Sequence, residues 1–442
     1  MTQPLPPLVA ERLRALRERP AEPTDKGLGL LASGTEGPSP ADLAGTRPAV
    51  YAAGFSYPVL TLRESALAGN LEAMAAYCAR AGVELAPHGK TAMSPELAAR
   101  QLASGAWGIT VATIGQLRAY RAFGFPRLLL ANELVDEAGI AWLADELAAD
   151  PGLAVYCYVD STDGVAILDR VLSARPAGRR LPVLVEIGLG RTGCRTDDQA
   201  LAVAKAAAAT GTLTVAGVAG YEGSMGGDPR EQAPGPVTSF CRRLANLAST
   251  MLASTSADTE AGPDDGEFIV TAGGSVYFDV VARELTAAGS GFAAGMTVVL
   301  RSGGYLFHDH GIYQAATPAA RGVTGAPVLR PALELWAQVL SRPEPGLALL
   351  SAGRRDAGFD SGLPVPLRMR RRDGEAAGLT GAEVTGLNDQ HAYLRLDPDT
   401  ALAPGDLVCL GISHPCTTLD KWRVIPVLDE QDRIIDVVHT FF

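Results

Sequence analysis

Short apolar runs alternate with longer amphipathic stretches over most of the chain. Eight runs rich in aliphatic and β-branched residues predict strands: VELAPH, ITVAT, RLLLAN, LAVYCYV, PVLVEI, TVAGVAGY, FIVTAG and TVVLRSGGY. Between them lie stretches with Ala, Leu and Arg at helical spacing, such as SPELAARQLASGA after the first run. Strands that alternate with helices of this length predict parallel βαβ units.

The number of these units indicates the fold class. Eight βα units match the strand count of a TIM barrel. We therefore predict an α/β fold in which residues 46–305 form a (β/α)8 TIM barrel. An open, doubly wound sheet is the alternative, and the closed barrel is favoured because the count reaches eight.

The pattern changes on both sides of this range. After Tyr305 the helical periodicity nearly disappears, and short strand-like pieces such as HAYLRL and WRVIPVL are separated by Gly, Pro and Asp. This pattern predicts a second, C-terminal antiparallel β domain over residues 306–442. Residues 1–45 are rich in proline, and we predict an irregular segment that packs on the other domains.

Composition and charge exclude several classes of protein. A chain of 442 residues with 47% hydrophobic and 20% charged residues can bury a core, which excludes a disordered or fibrous protein. The net charge of −11 gives no basic face, so we expect no nucleic-acid partner. Six cysteines without a disulfide framework indicate a reducing compartment. The N-terminus lacks a signal-peptide core, and the apolar stretch Ala206–Tyr221 is too short for a membrane span, so we expect a cytoplasmic protein without a membrane partner.

His88 and Lys90 lie at the end of the first predicted strand, in LAPHGKTAMSP. Residues two apart on a strand share a face, so both side chains are expected to point the same way. Barrel enzymes place their catalytic groups at the carboxyl ends of strands. Desolvation lowers the pKa of a lysine directed into a barrel mouth, and a neutral amine is the form that reacts with an aldehyde. The alternative is an ordinary surface lysine beyond a strand end.

Gly273, Gly274 and Ser275 follow the seventh predicted strand, in FIVTAGGS, directly before a helix. Backbone N–H groups at a helix start bind anions, and the loops after strands seven and eight of barrels commonly hold phosphate. An ordinary βα turn would have the same sequence. Together with the lysine after the first strand, this loop suggests pyridoxal 5'-phosphate (PLP) held across the barrel mouth.

His414 and Cys416 lie two residues apart in ISHPCTTLDKW, on a segment predicted to be strand-like. Imidazole and thiolate are good zinc donors, and a site with only two protein ligands keeps open positions, which suits a catalytic Zn2+. The alternative is a buried cysteine beside a surface histidine. His391, in LNDQHAYL, is another histidine of this region that could line the site.

The chain resembles the fold-type III PLP enzymes, and within them the D-serine dehydratase and D-threonine aldolase group, a relative of alanine racemase. The resemblance runs in order over about residues 50 to 430 and rests on the motifs PHGKT, EI with RTG, GYEG, TAGGS, RSGGYLFHD and HPC. The sequence departs from this pattern at Gly188, where relatives often have an aspartate.

The resemblance implies roles for individual residues. Lys90 would carry the cofactor covalently, His88 would lie beside its ring, and Tyr221 would contact it. Arg191 would approach its phenolic oxygen, and Tyr305 would also lie near it. The resemblance assigns the phosphate to Gly273, Gly274 and Ser275. It also matches His414 and Cys416 to the zinc ligands of the dehydratase branch, whereas the aldolase branch typically has an aspartate in place of the cysteine.

These implications predict a PLP- and zinc-dependent carbon–oxygen lyase. It would dehydrate and deaminate a 3-hydroxy D-amino acid such as D-serine or D-threonine, with Lys90 as the base at Cα. The metal held by His414 and Cys416 would act on the β-oxygen, because hydroxide is a poor leaving group. Retro-aldol cleavage to glycine and an aldehyde, amino-acid racemisation and PLP binding without turnover are the alternatives. Relatives pair head-to-tail, so we expect a homodimer.

Overall fold

The chain enters the fold through two short helices and a strand, α1 (Pro7–Arg17), α2 (Pro40–Thr46) and β1 (Val59–Arg63). The computed structural model describes residues 3–28, 31, 37–52, 54–175, 177–225, 235–257, 267–286 and 295–442. A capping box begins α2, because the side chains of Ser39 and Asp42 each accept a hydrogen bond from the other residue's backbone N–H.

Eight parallel strands of the described chain form the barrel. They are ordered β2-β9-β8-β7-β6-β5-β4-β3, and a parallel bridge between His88 and Thr110 links the two ends of this order. The (β/α)8 barrel predicted from the sequence is therefore confirmed. Its strands are β2 (Glu84–Leu85), β3 (Ile109–Val111), β4 (Arg127–Glu133), β5 (Ala154–Val159), β6 (Leu181–Ile187), β7 (Leu213–Gly220), β8 (Phe268–Ala272) and β9 (Met296–Leu300).

Helices cover the outside of the barrel. Several begin at a Ser, Thr or Asp whose side chain accepts a hydrogen bond from the N–H of the third helical residue, which fixes where each βα loop ends. These capping residues are Ser94, Thr113, Asp136, Ser161 and Thr196. The barrel helices are α3 (Glu64–Ala81), α4 (Pro95–Ala103), α5 (Ile114–Ala122), α6 (Glu137–Ala149), α7 (Thr162–Ala174), α8 (Asp197–Ala208), α9 (Gly235–Ala257) and α10 (Phe278–Thr286).

Two hydrophobic layers hold the barrel together. The larger layer lies between the strands and the surrounding helices and continues into the C-terminal domain. A smaller cluster fills the barrel interior with alternate strand residues, including Leu129, Tyr158, Leu184, Ile269 and Val299. The interior of the barrel is thus a packed core.

The C-terminal domain is built on a ten-stranded sheet within the described residues. Its pairs are antiparallel except for the pairing of β1 with β17, so the predicted β domain is confirmed. Two short helices, α11 (Ile312–Ala316) and α12 (Cys416–Leu419), accompany it. The strands that follow the barrel are β10 (Leu333–Glu344), β11 (Leu347–Leu350), β12 (Val365–Arg370), β13 (Ala376–Gly378), β14 (Glu383–Leu387), β15 (Ala392–Arg395), β16 (Leu407–Gly411), β17 (Val424–Leu428) and β18 (Ile434–His439).

Strand β1 precedes the barrel in sequence but pairs with β10 and β17 of the C-terminal sheet. The predicted barrel range of residues 46–305 includes this strand, which the structure places in the other domain. The chain therefore passes through the C-terminal domain before it enters the barrel. None of the helices in the part of the chain that the structure describes has the length and apolarity needed to cross a membrane.

Candidate active site

A cavity of about 470 Å³ lies at the mouth of the barrel, where the β domain covers the carboxyl ends of the strands. Eight of the ten site residues predicted from the sequence line it: His88, Lys90, Arg191, Tyr221, Gly274, Ser275, His414 and Cys416. Gly273 and Tyr305 lie outside the lining. Side chains from both domains therefore face one space, as a site for chemistry on a small molecule requires.

Lys90 reaches the cavity from a short 3-10 turn, Gly89–Thr91, rather than from a strand. Strand β2 ends at Leu85, so the alternation of strand faces that we used for His88 and Lys90 does not apply here. The turn packs closely, because a side chain at Gly89 would place its Cβ 2.6 Å from the Tyr120 hydroxyl, which donates to the Gly89 carbonyl. The Lys90 side chain is exposed to the cavity, but desolvation by the surrounding walls lowers the pKa of its amine, and nearby Arg191 and Arg301 lower it further.

His88 lies beside this turn, at the bridge to Thr110 that closes the barrel. Burial lowers the pKa of its imidazole well below the usual value, and the charge of Lys90 lowers it further, so the ring is neutral. Its Nδ1 atom is buried without a hydrogen-bond partner in the described part of the chain. A neutral ring with a free nitrogen can pack against a flat ligand or accept a hydrogen bond from one.

Arg301 is a cavity residue that our sequence analysis did not select. It is 6% exposed, and its guanidinium donates to the Thr271 hydroxyl and to the Gly220 carbonyl, both at 2.7 Å. The guanidinium also lies 5.9 Å from the centre of the Tyr158 ring. The sequence did contain a signal for this residue, because Arg301 comes directly after the eighth barrel strand. It lies in the same RSGGY motif as Tyr305, which we had selected instead.

The prediction that Tyr305 lies near the cofactor is wrong, because this residue does not line the cavity. It is 3% exposed, and its hydroxyl accepts a hydrogen bond from the Gln101 side chain at 3.1 Å. The ring lines a separate cavity near Leu71 and Cys78. The turn Gly304–Leu306 directs this side chain away from the barrel mouth and towards helix α4.

The loop after β8 also differs from the prediction. The N–H groups of Gly273 and Gly274 donate to the two carboxylate oxygens of Glu222, at 3.0 and 2.5 Å. These two donors, which we assigned to a phosphate, are thus already bound to an anion of the protein itself. The prediction for them does not hold in this arrangement, because each N–H group carries one proton to donate.

Other polar groups of the same region do face the cavity. The Ser275 hydroxyl accepts a hydrogen bond from the Gly304 N–H at 3.1 Å, and both residues line the cavity. Tyr221 and Tyr313 line it as well. Arg191 stacks its guanidinium over the Tyr221 ring, 5.1 Å from the ring centre. A ligand phosphate can therefore be held by the hydroxyl groups of Ser275, Tyr221 and Tyr313.

His414 and Cys416 of the β domain also line the cavity. They are not on a strand: Pro415 has helical dihedral angles, and Cys416 is the first residue of α12. The Asp360 carboxylate lies 2.6 Å from the His414 Nδ1 atom, and the Cys416 sulfur lies 3.6 Å from the Thr91 hydroxyl of the barrel. Hydrogen bonds with Cys416 and Asp360 raise the pKa of His414 to about 9.

Three carboxylates meet at the barrel mouth near Tyr158. The candidate ligand atoms of Glu133, Asp160 and Glu186 lie within 4.8 Å of one another. Burial and the neighbouring Glu186 raise the pKa of Glu133 to about 8, so Glu133 holds a proton at neutral pH. Asp160 also accepts a hydrogen bond from the Gly193 N–H at 2.9 Å, which anchors the loop that carries Arg191.

The same loop explains the departure at Gly188. A Cβ there would lie 1.6 Å from the Thr192 carbonyl oxygen, so an aspartate does not fit this loop conformation. Acidic groups on this part of the barrel come instead from Glu186, two residues earlier on β6.

Comparisons with known proteins agree with this architecture. Residues 62–279 match the family model described as alanine racemase, N-terminal domain, and residues 332–428 match the putative serine dehydratase domain. The chain is 29% identical to a D-threonine aldolase of an Arthrobacter species over 366 residues, which is 81% of this chain and 85% of that protein. It is 27% identical to a 3-hydroxy-D-aspartate aldolase of Paracoccus denitrificans (strain Pd 1222) over 378 residues, 83% of this chain and 87% of that protein.

Solved structures show the same fold. The crystal structure of a D-threonine aldolase from Filomicrobium marinum superposes with a TM-score of 0.71 at 26% identity, over 88% of this chain and 96% of that one. The D-threo-3-hydroxyaspartate dehydratase from a Delftia species superposes with a TM-score of 0.65 at 20% identity, over 87% and 97%. The fold and site define a fold-type III PLP protein. The chain is similar to the alanine racemase-like proteins of this class, and its two matched domains are those described for alanine racemase and for a putative serine dehydratase.

The cavity residues fit this cofactor. A lysine with a lowered pKa can form a covalent bond with the aldehyde of PLP, and the unpartnered His88 nitrogen lies next to it. Ser275 of the cavity lining offers a hydroxyl group suited to a phosphate. The positive charges of Arg191 and Arg301 suit a ligand that carries several negative charges.

Proposed function

We propose that this protein eliminates water from a 3-hydroxy D-amino acid such as D-serine or D-threonine, and that the product then hydrolyses to a 2-oxo acid and ammonia. The observation that carries the proposal is that Lys90 and the His414–Cys416 pair line one cavity, with the Cys416 sulfur 3.6 Å from the Thr91 hydroxyl of the turn that carries Lys90. An elimination needs a base at Cα and an acid at the β-oxygen, and these are the two kinds of group that the cavity brings together.

Each residue has one task in this proposal. Bound PLP would act as the electron sink that makes the Cα proton acidic. The Lys90 amine takes that proton, since its lowered pKa makes the neutral form available. Arg191 and Arg301 bind and orient anionic groups in the cavity.

His414 and Cys416 would hold a zinc ion, which would supply Lewis acidity to the β-oxygen. The donor set supports this, because imidazole and thiolate are zinc ligands. Asp360, bound to Nδ1 of His414, leaves Nε2 as the nitrogen available to a metal. The putative serine dehydratase domain matched by residues 332–428, which contains both ligands, also supports dehydration.

Retro-aldol cleavage is the second candidate, and a specific observation favours it. Both curated relatives described above are aldolases, one for D-threonine and one for 3-hydroxy-D-aspartate. In that reaction the proton leaves the β-hydroxyl instead of Cα, the Cα–Cβ bond breaks, and glycine and an aldehyde form. Cys416, where the aldolase branch typically has an aspartate, is the residue that favours dehydration.

Product analysis separates the two candidates. Protein loaded with PLP and zinc should release equal amounts of ammonia and 2-oxo acid from D-serine or D-threonine, and neither from the L-enantiomers. Glycine and an aldehyde from D-threonine or 3-hydroxy-D-aspartate would replace the proposal with the aldolase function. A PLP-loaded protein that turns over none of these compounds would contradict both candidates. Lys90→Ala, treated identically, is the control for reaction catalysed by free PLP.

A further inference from the structure

Glu222 is a buried anion that the proposed chemistry does not use. It follows Tyr221 at the end of β7 and is 1% exposed. Its two carboxylate oxygens accept the N–H groups of Gly273 and Gly274, which lie 51 and 52 residues further along the chain. A buried carboxylate is costly unless its charge is balanced, and two converging N–H groups provide that balance.

The loop that Glu222 binds is held from its other side as well. The Ser302 hydroxyl lies 3.1 Å from both the Gly273 and the Gly274 carbonyl oxygens, and the Arg301 N–H donates to the Gly273 carbonyl. The N–H groups of this turn therefore donate to Glu222, which follows β7. Its carbonyl groups accept from Arg301 and Ser302, which follow β9. The next residue is Ser275, whose hydroxyl lies in the cavity and is bonded to the Gly304 N–H.

Gly274 allows this arrangement. A Cβ at this position would lie 3.1 Å from Cε2 of Tyr221 and 3.2 Å from the Glu222 carboxylate. The missing side chain lets the tyrosine ring and the carboxylate pack on the loop together. Glu222 therefore ties together two cavity elements, the Tyr221 ring and the Ser275 hydroxyl.

We propose that Glu222 is a positioning residue for the phosphate of the cofactor. Its carboxylate binds the two glycine N–H groups permanently and fixes the turn so that Ser275 and Tyr221 present their hydroxyl groups to the phosphate. The proposal rests on PLP binding in the proposed function. It differs from a general structural role because its effect is confined to ligands that carry a phosphate.

The test compares two forms of the ligand. Equilibrium titration of the cofactor-free protein measures Kd for PLP and for pyridoxal, which lacks the phosphate. Glu222→Ala should weaken PLP binding about tenfold or more, the size expected for loss of charged hydrogen bonds, and should change pyridoxal binding by less than about twofold. Sodium formate, which fits the vacated space and accepts both N–H groups, should restore part of the PLP affinity, whereas sodium chloride at equal ionic strength should not.

Glu284→Ala is the matched control, because Glu284 is a barrel glutamate that is 7% exposed and that binds Arg242 and Arg283 instead of the loop. It should leave the ratio of the two Kd values unchanged. If Glu222→Ala does not fold, the ratio of the Kd for PLP to the Kd for pyridoxal is measured with Glu222→Gln instead. Glutamine keeps the shape of the side chain and one acceptor oxygen.

Three results would overturn the proposal: unchanged PLP affinity, equal weakening of PLP and pyridoxal, or tighter PLP binding. Tighter binding would make Glu222 a competing anion. Failure of the wild-type protein to bind either compound would contradict the proposed function instead, so the two claims fail in distinguishable ways.

Discussion

Positive charge is concentrated around the cavity at the scale of single residues. Arg191 and Arg301 line it beside Lys90. Desolvation lowers the pKa of the Lys90 amine most, and the two arginines lower it further because they disfavour a second positive charge. The same two arginines attract an anionic ligand, so they contribute both to binding and to the activation of the lysine.

Lys90 should be the residue that binds PLP covalently. Borohydride reduction of the PLP-loaded protein should label the peptide that contains Lys90, as read by mass spectrometry. Lys90→Ala should lose turnover by about a thousandfold or more, because it lacks both the covalent attachment and the base. Lys205→Ala, which removes an exposed lysine of α8, should label and react like the wild type. Labelling of any other lysine in the wild type would contradict the assignment.

Glu133 should make stability depend on pH. Its pKa is raised to about 8, so the folded state holds a proton that the unfolded state releases near pH 4.5. The stabilisation from this proton is complete below that lower pH and is lost as pH rises through about 8. Glutamine cannot ionise, so Glu133→Gln should not lose this stabilisation as the pH rises.

Thermal unfolding at pH 6 and pH 9 measures the effect. The melting temperature of the wild type, taken relative to Glu133→Gln, should fall by about 2 °C or more between these values. Glu72→Gln, an exposed site on α3, should follow the wild type. Parallel pH curves for the wild type and Glu133→Gln would show that Glu133 does not hold this proton in the folded state.

The short elements around the site determine its geometry more than the long ones do. The sequence predicts a six-residue first strand, but β2 has two residues, because Pro87 has no N–H for the ladder and His88 returns only as a bridge to Thr110. Lys90 reaches the cavity from the turn that follows. His414 and Cys416 likewise reach it from a loop and the start of α12. Residue identity was predictable in both cases, whereas the local conformation was not.

The turn that carries Lys90 should be sensitive to one added methyl group. Gly89→Ala would place a Cβ 2.6 Å from the Tyr120 hydroxyl and force the turn or the ring to move. We expect loss of about 1 to 3 kcal/mol in unfolding free energy and weaker PLP binding. Gly69→Ala on α3, where a Cβ meets nothing within 4 Å, should instead be neutral or stabilising. Denaturant titration measures the unfolding free energy, and a binding assay measures the affinity for PLP. Equal values for Gly89→Ala and Gly69→Ala would contradict the role of the turn.

The barrel and the class of the C-terminal domain follow from sequence periodicity, because each strand and helix contributes its own local signal. Contacts between distant segments carry no such signal. Nothing in the spacing indicates that Glu222 binds Gly273 and Gly274, or that β1 joins the other domain. Arg301 could have been found from its position after the eighth strand, and Tyr305 was chosen because side-chain direction is not visible in the sequence.

Both domains build the site at the scale of the whole molecule. Cys416 of the β domain contacts Thr91 beside the lysine turn, and the Phe441 N–H donates to the Met93 carbonyl at 2.9 Å. His439 lies 2.7 Å from the carboxylate of Glu96 at the start of α4. The C-terminal domain is therefore joined to the segment that carries Lys90, and this keeps Lys90 and the His414–Cys416 pair in a fixed relation.

This division of the site between domains gives the central claim: Lys90 acts at Cα, and the metal held by His414 and Cys416 acts at the β-oxygen. Removal of the metal should therefore separate two events that occur together in the complete protein. Cys416→Ala should behave like the chelated wild type, and Lys90→Ala should show neither event.

Proton NMR of D-serine in D2O follows both events in one sample. With PLP-loaded protein stripped by a chelator, we expect the Cα proton to exchange with solvent deuterium while no 2-oxo acid forms, and added zinc should restore the 2-oxo acid. Full elimination by protein that elemental analysis shows to be free of metal would contradict this account.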